Sequence, residues 1–143
     1  MKRIIAALLL NVTFLAACGN GASSGSHVQP SETASTDTEP AYRRISAEDA
    51  YRMMLDTDGY ILLDVRSHEE YDVEHIDGAV LIPVDEIGDR AEDELMDKSA
   101  VILLYCRSGR RSAAAAHELV GLGYTNVYDF GGIIDWPYDT ITG

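Results

Sequence analysis

One cysteine and three arginines crowd into a short stretch of an otherwise acidic chain, Cys106-Arg107-Ser108-Gly109-Arg110-Arg111-Ser112. A thiol attacks as its thiolate, which guanidinium charge and inward-pointing loop N–H groups stabilise. The same donors can hold a small oxyanion against that sulfur without mutual repulsion. These residue types predict a nucleophilic Cys106 and an anionic reaction partner bound by the amides and side chains of Arg107, Ser108, Gly109, Arg110, Arg111 and Ser112. Arg111, read as the last loop residue before a helix, is the first choice for a side chain facing the sulfur. The reading requires a thiol that ionises easily and that solvent can reach. The plainer alternatives are a small buried hydrophobe at Cys106 and a solvated basic patch. A strand-end position before a Gly-containing turn counts against the first.

The flanking residues supply that position. Val101–Tyr105 is four aliphatics and a Tyr, the pattern of a strand buried on both faces. From Ser112 the chain becomes an Ala-rich helix, with Gly121 and Gly123 as stop signals. The cysteine thus sits at the carboxyl end of a buried strand that feeds a helix N-terminus, where open α/β sheets bind their ligands. Upstream, Tyr42–Ile45 is a short strand candidate, and Ser46 with Asp49 caps a helix over Ala47–Leu55. Tyr60–Val65 reads as a strand, Ser67 as the cap of a short acidic helix through Tyr71, and Ala79–Pro83 as a third strand. Asp85–Asp97 holds one or two short helices. Val127–Phe130 is the last strand, before Gly131-Gly132 and a turn or short helix through Trp136-Pro137. Strands alternating with helices predict a parallel sheet covered on both faces.

The 143 residues carry a formal charge of −13, which excludes a nucleic-acid partner. Lys2 and Arg3 precede a mostly apolar stretch of 14 residues, Ile4–Ala17. A helical span of the bilayer needs about 20 residues, so residues 1–17 read as a signal peptide. Its end, Leu15-Ala16-Ala17-Cys18, resembles the lipobox of bacterial lipoproteins, which implies cleavage before Cys18 and a lipid on it. The expectation is an extracytoplasmic protein held to the bacterial cell membrane by acyl chains. Residues 18–41 are rich in Gly, Ser and Thr and too polar to fold, so they read as a flexible tether. The folded domain spans residues 42–143, with 9 basic against 21 acidic residues, a balance that favours a monomer.

Two longer stretches carry a family resemblance. LLDVRSHEEYDVEHIDGAVLIPVDEI is similar to the first signature of the rhodanese family, and VILLYCRSGRRSAAAAHELVGLGYTNVYDFGGIIDWPY to its second. The resemblance covers most of residues 60–138 and implies a rhodanese-like three-layer sandwich, a five-stranded parallel sheet flanked by helices. It also implies that Cys106 takes a sulfane sulfur from a donor such as thiosulfate, releases sulfite, and passes the sulfur to a thiol, a protein cysteine or cyanide. Arg107 matches the family's thiosulfate-type loop, and the resemblance makes it the second choice for a side chain facing the sulfur. No cofactor and no metal is implied.

Tyrosine phosphatases, some of which share this fold, place an Arg six positions after the Cys. Here that position is Ser112, and Arg111 comes one residue early, so phosphatase or arsenate-reductase chemistry is a minor alternative. A non-catalytic sulfur carrier or docking module is the other rival. Thiol–disulfide exchange would use a CxxC pair, which the domain lacks. Asp64 and Arg66 end a strand on the same side as Cys106; they are read as structural before catalytic. His68 and His75 stand among acids at no zinc spacing and are assigned to a solvated helix face. Trp136 is expected to pack the core edge.

Overall fold

A computed structural model describes residues 42–143; Cys18, the signal segment and the tether lie outside the described residues. The chain alternates strand and helix as its hydrophobic pattern dictates: β1 (Arg43–Arg44), α1 (Ala47–Asp56), β2 (Ile61–Asp64), α2 (His68–Val73), β3 (Val80–Leu81), α3 (Ile87–Glu94), β4 (Val101–Cys106), α4 (Arg110–Gly121) and β5 (Asn126–Gly132). Single 3₁₀ turns at Val84–Glu86 and Ile133–Asp135 complete the set. The five strands form one sheet in the order β1-β5-β4-β2-β3, every neighbouring pair parallel. This is the α/β architecture expected from the sequence.

Strand side chains alternate between the faces, which gives the sheet two cores. On one face Leu63, Val65, Ile102, Leu104 and Cys106 pack with Ile87 and Ala91 of α3 and Ala115, Ala116 and Leu119 of α4. On the other, Leu62, Leu103 and Tyr105 pack with Ala50 of α1, Ile76, Phe130 and Trp136. Ala115 and Ala116 of the α4 alanine run are the ones buried in this core, where small side chains let the helix lie close to the sheet. Trp136 packs beside Phe130 at a centroid distance of 5.4 Å, the core-edge role read from the sequence.

Several boundaries shift for local reasons. Helix α4 begins at Arg110 and not at Ser112, because Gly109 takes a left-handed conformation (φ 95°) and so turns the chain directly into the helix. Arg111 is therefore a residue of the first helical turn, not of the loop. β5 runs on through Gly131-Gly132, and Cys106 is the last residue of β4. The β4–β5 register moves from Leu104 opposite Asp129 to Cys106 opposite Gly132, which leaves one extra residue on β5. That bulge lies beside the cysteine and re-aims the end of the strand.

Candidate active site

The Cys106 cradle is built from three chain segments. β4 delivers the sulfur, and the turn Arg107–Gly109 folds back so that the Gly109 N–H donates to Cys106 Sγ at 3.1 Å. Gly131-Gly132 of β5 support the turn from beneath. A Cβ on Gly132 would lie 2.4 Å from the Arg107 carbonyl oxygen and 2.7 Å from Ser108 Cα, so only glycine permits this approach. Gly131 has φ 92° and donates its N–H to the buried Asp129 carboxylate at 2.9 Å, which holds the bulge in shape. The Ile134 N–H reaches the Arg107 carbonyl at 3.3 Å and fastens the following turn to the same loop.

Electrostatics at the sulfur are a contest between burial and donors. Burial is the largest single influence on Cys106 and would push the thiol up. Donation from the Ser112 amide and hydroxyl and from the Ser108 and Gly109 amides outweighs it, leaving the thiol below its ordinary range. Ser112 has one hydroxyl proton, however, and Ser112 Oγ also lies 3.1 Å from the Gly109 carbonyl and 3.3 Å from that of Gly131. The proton can serve only one acceptor at a time, so the amides are the constant contribution.

The loop residues divide by position. Gly109 and Ser112 are buried in the cradle, while Arg107, Ser108 and Arg110 are exposed at its rim. Arg111 is half-buried and close enough to interact electrostatically with Cys106. Its guanidinium is also clamped by Glu70, with Nη1–Oε2 at 2.6 Å and Nη2–Oε1 at 2.8 Å. That bidentate pair draws the Glu70 carboxyl down to about 2. Glu70 is a site-supporting residue that sequence reasoning missed. Its signal was the spacing Ser67-x-x-Glu70, and the full capping box is present on α2. The reach across to Arg111 depends on tertiary packing and has no local mark.

Two expectations need correction. Cys106 is only 1% exposed, so the resting arrangement does not meet the requirement for a solvent-open thiol. The strand carries Cys106 into the core layer against α4, and the turn closes over its sulfur. His75 is buried, not solvated: its ring stacks on Tyr71 at 3.7 Å, its Nδ1 lies 2.9 Å from the Tyr71 carbonyl, and its backbone pairs with Ile141. His68 is exposed as expected. Asp64 and Arg66 form a buried pair, with Arg66 Nη2 2.6 Å from Asp64 Oδ2 and 2.6 Å from the Glu74 carbonyl. Desolvation opposes the charge on Arg66, and the bonds to Asp64 overcome it and raise its pKa. The pair ties the end of β2 to the end of α2, a structural role.

Comparison with known proteins agrees with this geometry. A rhodanese-like domain model matches residues 46–137. The thiosulfate sulfurtransferase PspE of Escherichia coli is 37% identical over 81 residues, which are 57% of this chain and 78% of that protein. A tRNA uridine(34) hydroxylase of Erwinia tasmaniensis is 41% identical over 88 residues, 58% of this chain but 25% of the relative. A Bacillus subtilis protein provisionally named sulfur carrier protein YrkF is 38% identical over 108 residues, 74% of this chain and 57% of the relative. The chain thus spans most of PspE and only part of the other two. Among solved structures, a rhodanese with anions from E. coli superposes with a TM-score of 0.56 at 35% identity, over 59% of this chain and all of that one. A rhodanese-related protein from Thermoplasma volcanium gives 0.61 at 30% identity, over 71% of this chain and all of that one. With a cysteine in an amide cradle at the end of a central parallel strand, and with the matched model covering most of the domain, the chain belongs to the rhodanese-like family.

Proposed function

We propose that the chain is a sulfurtransferase that moves a sulfane sulfur from thiosulfate, or a similar anionic donor, to a thiophilic acceptor. The Cys106 thiolate attacks the outer sulfur of the donor. The donor's S–S bond breaks, sulfite leaves with the electron pair, and Cys106 becomes a persulfide. An acceptor thiolate or cyanide then attacks the outer sulfur, and the Cys106 thiolate leaves with the pair. No external oxidant or reductant enters. The observation that carries this reading is the Gly109 N–H on Cys106 Sγ at 3.1 Å, where donors from Ser112, Ser108 and Gly109 outweigh burial and lower the thiol's pKa. Those same donors suit a negatively charged sulfur at each stage of transfer. Because Cys106 is closed over at rest, donor entry requires displacement at the loop rim, where Arg107, Ser108 and Arg110 are exposed.

The test is mass spectrometry of the purified chain after exposure to thiosulfate. A gain of one sulfur on Cys106, absent in Cys106→Ser with the fold intact, supports the reading; an unchanged thiol in the folded chain overturns it. The similarity to the provisionally named sulfur carrier supports a second reading, a carrier with little turnover of its own. Loading without release to cyanide or thiols would favour it. The sequence at Leu15–Cys18 further supports a mature chain that begins at a lipidated Cys18 on the outer face of the membrane. Its check is the mass of the mature N-terminus, and an unmodified Cys18 would overturn that placement.

A further inference from the structure

Beside the Cys loop lies a groove of about 330 Å³ between the end of α2 and the turn that follows β5. Its two sides are tied to the sulfur's surroundings. Glu70 on α2 clamps Arg111, and the Ile134 backbone N–H bonds the Arg107 carbonyl. Two aliphatic side chains stand along it in the open: Val73 is 71% exposed and Ile134 64%. They come from different segments and flank one depression, which distinguishes them from scattered surface residues. The groove's charges are uneven. Arg66 is paired with Asp64 and Glu70 with Arg111, whereas Glu69, Glu74 and Arg107 have no salt-bridge partner among the described residues. The unpaired charge is therefore net negative, on a domain that already carries 21 acidic against 9 basic residues.

This combination does not suit the donor. An anion is drawn to the arginine rim and the amide cradle and gains nothing from aliphatic side chains beside two free carboxylates. It suits a ligand with an apolar side chain to cover Val73 and Ile134 and a cation to meet Glu69 and Glu74. Resting on the sulfurtransferase reading, we infer that this groove docks the acceptor. That acceptor is a protein or peptide thiol whose cysteine is flanked by an aliphatic and a basic residue. Apolar cover provides affinity, and the carboxylates select against anionic thiols. The two half-reactions thereby use adjoining surfaces that meet at Arg107: the donor enters over the arginine rim, and the acceptor seats against α2 and the turn.

The experiment uses the full chain loaded with thiosulfate. It compares transfer to cyanide, to a peptide with cysteine between Leu and Lys, and to the same peptide with Glu in place of Lys. The Lys peptide is expected to show a KM about tenfold below the Glu peptide. Val73→Ser with Ile134→Ser should raise the Lys-peptide KM about tenfold. Glu69→Lys with Glu74→Lys should reverse the peptide preference. Sulfur loading on Cys106 and transfer to cyanide should stay unchanged in the Val73→Ser, Ile134→Ser variant, and the charge-reversed variant should still load Cys106 and still pass sulfur to cyanide. Equal KM values for the two peptides on the unmodified chain, or variants that slow cyanide and peptide alike, overturn the inference while leaving the transferase reading intact. Failure of Cys106 to load overturns both.

Discussion

A thiol taken from water into a protein interior loses the hydration of its anion, which raises its pKa, and hydrogen-bond donors aimed at the sulfur reverse that sign. At Cys106 the donors prevail although the residue is closed to solvent. The folded chain should therefore titrate Cys106 at a lower pH than the denatured chain does, followed by thiolate absorbance. Sulfur uptake should fall as pH drops through that midpoint, because the attacking species is lost. A midpoint at or above that of the denatured chain would remove the basis for a nucleophile. The sequence made the donors legible, since a Gly-containing turn between strand and helix presents its amides inward. It did not make burial legible. Whether β4 stops at Tyr105 or runs on to Cys106 depends on pairing with Gly132, and nothing near Cys106 encodes that contact.

The elements that shape the cradle act through backbone proximity, and the decisive one is the end of β5. The sequence pattern ends the last strand at Phe130 and leaves Gly131-Gly132 beyond it, yet they form a bulged strand end pressed under the Cys loop. Gly132→Ala would place a methyl group 2.4 Å from the Arg107 carbonyl oxygen, and neither neighbour is a flexible side chain that could give way. The loop must move. A misplacement near 1 Å can cost about 100-fold in rate, so sulfur transfer should fall at least that far. The stability loss should be about 1–3 kcal/mol. Gly59→Ala is the matching control: φ there is 73°, but nothing lies within 4 Å of the added carbon. It should cost about 1 kcal/mol of stability for the unfavourable backbone and leave transfer intact. Equal activity in the two variants would show that the close approach of β5 is dispensable. The helices were more legible, because caps and periodicity are local. Ser46 accepts from the Asp49 N–H and starts α1 where the sequence placed it.

At the scale of the domain, an ion pair between Glu70 of α2 and Arg111 of α4 joins the layers on the two faces of the sheet, since Tyr71 of α2 packs against one core and Ala115 and Leu119 of α4 belong to the other. The Glu70 carboxyl is drawn from 4.5 to about 2, first by the bonds from Arg111. A carboxyl whose pKa is lower in the folded state stabilises the fold above its unfolded pKa, and that contribution fades as pH falls toward the folded value. The full drop would correspond to about 3 kcal/mol. The two side chains are 30% and 28% exposed, so solvent screening reduces the expectation to about 1–2 kcal/mol. Glu70→Gln should therefore lower the unfolding free energy by that amount at neutral pH, measured by urea titration. The gap between variant and parent should close as pH is lowered from about 5 toward 2. A gap that stays constant over this range would mean that packing of the Glu70 side chain, and not its charge, joins the layers. The same substitution frees Arg111 beside the sulfur, so its effect on sulfur uptake reports separately on whether the clamp holds that guanidinium where Cys106 needs it.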